Sequence, residues 1–365
     1  MNKSDTVMSV QRSVFFERPE NPYYIVAPFY TRFSAGVKVL HLLCHALNRF
    51  GQNAYLIIYP EHYKPLNGIR PDLNTPLLTK SIMKFHYDHG LTPITIYPEV
   101  FKGNIFNAPF VVRYFLNYPG LLGGDEESNP NEFSISYSKA IAKRVSNNRQ
   151  VIFIPVSDPN FFSPLSHPIR SGACFYAGKY REFHGGKLFA ITDGLTEITR
   201  NKKNSQTLEK IRDLFRSSDL FYCYEDSALA VEAILCECPV VFLPNPYFLE
   251  PIAKDELSGY GYAWGVDSDQ IKHAKETVSL GRNAYLNLFS KAEMELKLFI
   301  TETQDAVKKV SYRHMMNQSV FRLSFLEESL WFGRAGMGML REKGILFTMD
   351  RLVRRLVDRV SLGRE

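Results

Sequence analysis

One glutamate stands inside an otherwise apolar stretch in the second half of the chain. Residues 224–245 read YEDSALAVEAILCECPVVFLPN, and Glu232 is the sole carboxylate between Ser227 and Cys236. Its small, apolar neighbours leave little polar face, so a glutamate on a solvated helix face is the less favoured of two interpretations. The favoured one is a carboxylate that accepts hydrogen bonds from paired hydroxyls, such as those of a ribose.

The pattern around Glu232 predicts a helix that follows a buried strand. LFYCY predicts the strand, EDSA the turn at its carboxyl end, and Ser227 is a favourable N-cap. The first amides of such a helix, at Ser227 and Ala228, lack partners within the helix and attract anions. The sequence therefore predicts an anion site beside the hydroxyl-binding carboxylate.

Apolar runs of strand length alternate with helical patterns twice along the chain. The predicted strands lie at 23–29, 54–60, 93–99, 110–117, 132–138 and 151–157, then at 173–180, 196–200, 220–225 and 239–244. This order predicts an α/β fold of two Rossmann-like, doubly wound domains that face each other across a cleft. Ligands of such sheets bind at the carboxyl ends of the strands. After about residue 268 the pattern is helical.

These patterns predict five segments along the chain. They are a flexible N-terminus (1–20), a first Rossmann-like domain (21–160), a linker (161–172), a second Rossmann-like domain (173–285) and a C-terminal helical segment (286–365).

Composition excludes several classes of protein. The 365 residues carry a net charge of +6, which suits anionic partners such as nucleotides or acidic lipids without requiring them. Five cysteines without a CxxC pair indicate neither a zinc site nor a disulfide framework. Neither an apolar signal-peptide core nor a membrane-spanning run is found. The phosphate-binding motifs of dehydrogenases and NTPases and the esterase GxSxG motif are missing.

Residues 224–245 resemble the signature segment of GT-B glycosyltransferases, especially the retaining family 4. Glu232-Ala233 and the run from Cys238 to Val241 match its second half. The resemblance implies that Glu232 binds the ribose of a nucleotide-sugar and that the Ser227 and Ala228 backbone holds its phosphates. The family's first glutamate aligns with Tyr224. Either Glu225 takes its place after a local shift, or the sugar is recognised differently.

The same resemblance assigns further residues of the second domain. The segment YAGKYREFHGGK offers Lys179, Arg181 and Lys187, of which two would neutralise the diphosphate leaving group; the sequence leaves open which two, and surface cations without a function are the alternative. The base-recognition loop would lie at 197–200, with Thr199 and Arg200 framing the base. His184 and the DSD triplet at 267–269 are set aside as ordinary loop residues.

In the first domain the resemblance is less specific. Ser34 and Gly36, in the small-residue loop after the first strand, would allow the backbone to approach the transferred sugar. The segments YPEVFKGN and VVRYFLNYPG resemble bacterial polysaccharide transferases that include rhamnosyltransferase-like enzymes. Glu99, Asn104 and Arg113 would then border the acceptor or the donor sugar, with a plain turn as the alternative.

The resemblance implies an enzyme that moves a sugar from a nucleotide-sugar donor to a glycan or lipid-linked glycan in bacterial surface polysaccharide biosynthesis. It would retain the anomeric configuration and need neither a metal nor a cofactor beyond the donor substrate. We expect a cytoplasmic protein without a nucleic-acid partner, docked on the inner face of the membrane if the basic amphipathic pattern at 346–360 binds lipid. The alternatives are a nucleotide-sugar epimerase and a catalytically silent glycan-binding subunit.

Overall fold

The computed structural model describes residues 20–59, 70–182, 184–200 and 205–310. Its first sheet is parallel throughout, with the strand order β2-β1-β3-β4-β5-β6. The strands are β1 (Tyr23–Ala27), β2 (Ala54–Ile58), β3 (Ile94–Pro98), β4 (Phe110–Phe115), β5 (Phe133–Ser136) and β6 (Asn148–Val151). Helices α1 (Ala35–Arg49), α2 (Lys80–Asp88) and α3 (Lys139–Ala142) connect them.

The second sheet is also parallel, with the order β11-β10-β9-β7-β8. Its strands are β7 (Ala173–Tyr176), β8 (Thr196–Glu197), β9 (Leu220–Cys223), β10 (Val240–Phe242) and β11 (Tyr262–Trp264). The helices are α4 (Gly178–Glu182), α5 (Leu208–Ser217) and α6 (Ala228–Leu235). Two parallel sheets with connecting helices confirm the predicted α/β fold class.

A long helix, α7 (Ser268–Val307), packs on both sheets. Tyr285 and Leu288 lie in the core of the second sheet, whereas Leu296 and Phe299 lie in that of the first. Its N-cap is Asp267, whose carboxylate accepts the amides of the first turn, so the DSD triplet begins a helix. The predicted basic helix at 346–360 and the predicted flexible segment 1–20, apart from Glu20, lie outside the described residues.

The predicted strand at 151–157 is wrong in position, because β6 ends at Val151. The backbone beyond it pairs with side chains of α7 instead of continuing the sheet. The Phe153 amide donates to Glu295 Oε2 at 3.3 Å, and the Ser157 amide donates to Tyr285 Oη at 2.9 Å. These bonds lead the chain from the first sheet to the second.

The predicted strand at 173–180 ends early, at Tyr176. Gly178 adopts a φ of +38°, and a Cβ there would lie 2.5 Å from the Tyr176 ring. The chain therefore turns at this glycine, and residues 178–182 form α4. Helices α2 and α3 and strand β11 have no counterpart among the predicted elements.

Gly124 packs closely against the backbone that follows β3, where a larger residue would clash. It has a φ of +80°, and a Cβ would lie 1.8 Å from the Glu99 carbonyl oxygen. Gly90 has a similar φ of +68° with open space around it. We expect Gly124→Ala to lower the free energy of unfolding by about 1–3 kcal/mol more than Gly90→Ala, because both strain the backbone but only one clashes. Urea unfolding measures both, and equal losses would contradict the stated clash.

Candidate functional site

Glu232 lies in the interior, where the ends of the two sheets meet. Ser227 is the N-cap of α6, and its Oγ accepts the Leu229 amide at 3.3 Å. The helix is buried on nearly every side, because its residues are small or aliphatic and pack between α7 and strands β9 and β10. Glu232 is 2% exposed, so it does not lie on a solvated helix face.

Among the described residues, the Glu232 carboxylate has three polar neighbours, all at long distances. Lys38 Nζ is 3.8 Å from Oε1, Ser157 Oγ donates to Oε1 at 3.5 Å, and an Arg200 terminal nitrogen is 3.7 Å from Oε2. Oε2 is buried and has no hydrogen-bond partner among the described residues. A carboxylate accepts up to about four hydrogen bonds, so this one can still take donors from a ligand.

Lys38 is not among the residues that the sequence predicts for this site. It belongs to α1, one turn after the N-cap Ser34, and is 9% exposed. Burial lowers the pKa of Lys38, and Glu232 opposes this effect while Arg200 and Arg70 add to it. A lysine among the apolar residues of α1 is the one sequence feature that points to Lys38, but the sequence does not reveal its partner, Glu232, which lies far along the chain. Two cations thus face one carboxylate.

The two carboxylates of the turn before α6 accept hydrogen bonds from two different segments of the chain. Glu225 Oε2 accepts the Lys179 amide at 2.5 Å and the Tyr180 amide at 3.3 Å, at the start of α4. Asp226 accepts the Ile252 amide and so fixes the segment after β10. Burial raises the pKa of Glu225 to about 7, although Lys179 opposes it.

Tyr224, at the place of the family's first glutamate, faces away from this turn. It is fully buried in an aromatic cluster and stacks on Tyr180 at 5.1 Å. Its hydroxyl accepts the Phe189 amide and shares a hydrogen bond with Thr192. Successive residues of a strand point to opposite faces of the sheet, so the carboxylate at the strand end belongs to Glu225.

The three candidate phosphate ligands differ in their partners. An Arg181 terminal nitrogen pairs with Glu197 Oε1 at 2.5 Å. Lys179 and Lys187 are exposed, and within the described part of the chain neither pairs with a carboxylate. They are the two cations of this loop that can meet a ligand without breaking an ion pair.

The predicted base-recognition loop is held by Gln206. Both the amide and the hydroxyl of Thr199 donate to Gln206 Oε1, at 2.9 and 3.2 Å. The Gln206 side chain in turn donates to the Glu197 carbonyl at 2.8 Å. Arg200 lies over the Tyr176 ring at 5.6 Å. Arg200 therefore extends from a braced loop to Glu232, and the sequence predicts the residue but not this contact.

In the first sheet, Ser34 caps α1 and accepts the Val37 amide at 3.4 Å. An added Cβ on Gly36 would lie 3.5 Å from Leu116, an ordinary contact. Gly36 has no positive φ, so its small size is not required by the backbone or by this neighbour. Backbone approach to a ligand remains a prediction for Ser34 and Gly36.

Glu99, Asn104 and Arg113 brace the loops after β3. Arg113 is 3% exposed and donates to both Glu132 oxygens and to two backbone carbonyls. Asn104 accepts the Ala108 amide and the Tyr97 hydroxyl. Glu99 accepts the Leu116 amide at 2.9 Å, and burial raises its pKa to about 7. The polar groups of Arg113 and Asn104 are thus engaged within the fold.

Glu225→Gln is expected to remove part of the pH dependence of stability. The native carboxyl keeps its proton up to about pH 7, against 4.5 for the ordinary group. Between these values the native state binds more protons than the unfolded state, so this group makes stability fall as the pH rises. The variant should therefore gain stability relative to wild type between pH 4.5 and 7 and keep the gain above pH 7.

Urea unfolding at a series of pH values measures this difference. Exposed Glu182, on the neighbouring helix α4, gives a matched control, Glu182→Gln, whose profile should follow the wild type. A constant difference between Glu225→Gln and wild type across this range would contradict the burial of a titrating carboxyl.

Two kinds of feature are absent from the described ranges. No group of three or more His, Cys, Asp or Glu side chains there is placed to hold a metal ion. None of the helices in those ranges combines the length and the apolar character needed to cross a membrane.

No protein-family model matches this chain, and no curated protein matches it either. Among solved structures it is similar to the spinosyn rhamnosyltransferase SpnG, with 11% identity and a TM-score of 0.41 over 77% of this chain and 100% of that one. It is similar to WaaG, a glycosyltransferase involved in lipopolysaccharide biosynthesis, with 10% identity and a TM-score of 0.39 over 79% of this chain and 100% of that one. It is also similar to T4 phage BGT in complex with UDP-glucose, with 13% identity and a TM-score of 0.38 over 80% of this chain and 100% of that one.

Proposed function

We propose that this protein is a glycosyltransferase that transfers a sugar from a nucleotide-sugar donor. The observation that carries the proposal is the buried Glu232 carboxylate, which lies between a cation of the first sheet's helix α1 and a cation of the loop after β8. A ribose diol supplies the donors that the carboxylate lacks, and a diphosphate supplies the negative charge that two cations can accept.

In this proposal the chain's own groups stabilise the leaving group. The bond between the anomeric carbon and the diphosphate oxygen breaks, and the diphosphate keeps the electron pair. An acceptor hydroxyl oxygen bonds to that carbon, and its proton passes to the departing diphosphate. The diphosphate gains negative charge as it leaves, where Lys38, Arg200, Lys179 and Lys187 can offset it. The amides at Ser227 and Ala228 add the positive end of α6.

We extend the proposal to a metal-independent reaction, because these cations supply the charge that a divalent ion would otherwise bring. Retention of the anomeric configuration is proposed from the resemblance in residues 224–245 alone. The resemblance of the segments YPEVFKGN and VVRYFLNYPG to bacterial polysaccharide transferases supports a glycan or lipid-linked acceptor in bacterial surface polysaccharide biosynthesis. Such an acceptor would place the reaction on the cytoplasmic face of the membrane, with residues 346–360 as the proposed docking segment.

Turnover of sugar-labelled UDP-, GDP- and TDP-sugars, with and without lipid-linked glycan acceptors, tests this function. Transfer of label to an acceptor, with nucleoside diphosphate release that depends on the acceptor, is expected. Isomerisation of the sugar without transfer would instead identify an epimerase. Absence of turnover with all donors and acceptors would indicate a silent binding subunit, and either result would overturn the proposal.

A further inference from the structure

A second polar cavity lies where α3 of the first sheet, the segment after β10 and helix α7 come together. Its volume is about 440 Å³, within the range of small-molecule sites. Lys139, Asp255, Glu256 and Tyr260 line it together with the α7 residues Asn283 and Asn287. The cavity shares no lining residue with the site around Glu232.

Glu256 is the residue whose hydrogen bonding is incomplete in this cavity. It is 6% exposed, and its Oε1 accepts the Lys139 amide at 2.9 Å. Its Oε2 is buried and has no hydrogen-bond partner among the described residues. A buried, unsatisfied carboxylate oxygen is costly to the fold, so a donor from a ligand would be bound favourably here.

Two of the other charges around the cavity are already paired. Asp255 pairs with Lys143 at 3.1 Å, and Lys291 pairs with Glu295 at 3.5 Å. The groups that remain for a ligand among these lining residues are therefore the free Glu256 oxygen, the exposed Lys139 ammonium and two amides. Asn283 and Asn287 are exposed and four residues apart, so they lie on one face of α7. Each amide both donates and accepts hydrogen bonds.

Apolar surface completes the lining. Leu280 and Leu288 belong to the same stretch of α7, and Tyr260 lies on the opposite segment. A ligand that offers hydroxyl donors and acceptors on its edges and C–H groups on its faces matches these walls. Two cations, Lys139 and Lys291, and two carboxylates, Asp255 and Glu256, line the cavity. Because their formal charges balance, a neutral ligand fits better than a charged one.

We propose that this cavity between the two sheets binds a neutral, hydroxyl-rich ligand, a saccharide of about one or two rings. Occupation would join α3, the segment at 255–260 and α7 through one ligand. The proposal does not depend on the nucleotide-sugar reaction, since saccharide binding can be measured with no nucleotide present.

Saturation-transfer NMR with the whole protein tests the site, with the methyl glycosides of glucose, galactose, N-acetylglucosamine and rhamnose and with maltose and lactose as probes. At least one should bind. Glu256→Gln should weaken it about ten-fold, the effect of one lost hydrogen bond to a polar or charged group. The double variant Asn283→Ala/Asn287→Ala removes two amides and should weaken it by at least as much. Glu293→Gln, exposed on the same helix, is the matched control and should bind as wild type does.

Titration of UDP, GDP and TDP into the same variants separates this site from the proposed nucleotide site. Unchanged nucleotide affinity with weakened saccharide binding is the expected result. Absence of binding by all six saccharides, or unchanged binding in both cavity variants, would overturn the proposal. Because the two asparagines are exposed, the double variant tests the site even if Glu256→Gln fails to fold.

Discussion

Replacing Glu232 by glutamine is expected to weaken the binding of UDP or GDP, whichever the protein takes, by about 100-fold. Two hydroxyl hydrogen bonds to a buried carboxylate contribute about 1.5 kcal/mol each, or about 3 kcal/mol together. Glutamine keeps the size of the side chain but replaces one acceptor with a donor. That donor would face the Arg200 guanidinium, which lies 3.7 Å from Oε2 in the wild type.

The 2′,3′-dideoxy forms of the same nucleotides make this prediction specific. They lack the hydroxyls that we assign to Glu232, so their affinity should be low in the wild type and nearly unchanged by the substitution. Calorimetric titration of both nucleotide forms into both proteins gives the coupling between the carboxylate and the diol. Thermal unfolding checks that the variant is folded.

Glu276→Gln is the matched control, because Glu276 is exposed on α7. It should bind both nucleotide forms as the wild type does. An equal loss for the ribose and the dideoxy nucleotides in Glu232→Gln would show that the carboxylate does not bind the diol. Unchanged binding of both would remove Glu232 from the site altogether.

Replacing Lys38 by methionine is expected to weaken nucleoside diphosphate binding by about 10-fold to 100-fold, the effect of one charge-assisted contact. Lys38 Nζ lies 3.8 Å from Glu232 Oε1. Because the Lys38 side chain is largely buried, water screens its charge only a little. Methionine fills a similar volume without the charge. Binding of the nucleoside without phosphates should stay at its wild-type level, because the lost contact is to the diphosphate.

The pH dependence of the same binding gives a second measure of Lys38. Burial lowers its pKa, so it loses its charge at a lower pH than an exposed lysine does. Wild-type affinity for the diphosphate should therefore decline on the alkaline side, and Lys38→Met should lack this decline. Lys84→Met, at an exposed position of α2, is the control. Equal losses for nucleoside and diphosphate in Lys38→Met would contradict a phosphate contact.

The sequence predicts most of the strands, because most of them are short runs of apolar residues. β1 is buried at all five positions, and the run YYIVA shows this directly. Residues 153–157 show where the pattern fails. They are equally apolar, but their hydrogen-bond partners are α7 side chains about 130 to 140 residues away, which no local pattern reveals.

The sequence likewise predicts some residues of the site and not others. Glu232 could be predicted because it is the one polar side chain in its helix and the resemblance gives it a role. The alternation of side chains along β9 places Tyr224 in the aromatic cluster and Glu225 in the turn. Because this short strand has aromatic residues on both faces, its sequence does not show which side chains point to which face. Lys38 could not be predicted, since its importance depends on which helix of the other sheet it meets.

A crystal structure of the protein with its preferred nucleoside diphosphate tests the central claim most directly. We predict the ribose hydroxyls within hydrogen-bond distance of the Glu232 carboxylate and the diphosphate between Lys38, Arg200 and the first amides of α6. A nucleotide bound elsewhere, with Glu232 still held between Lys38 and Arg200, would contradict the account.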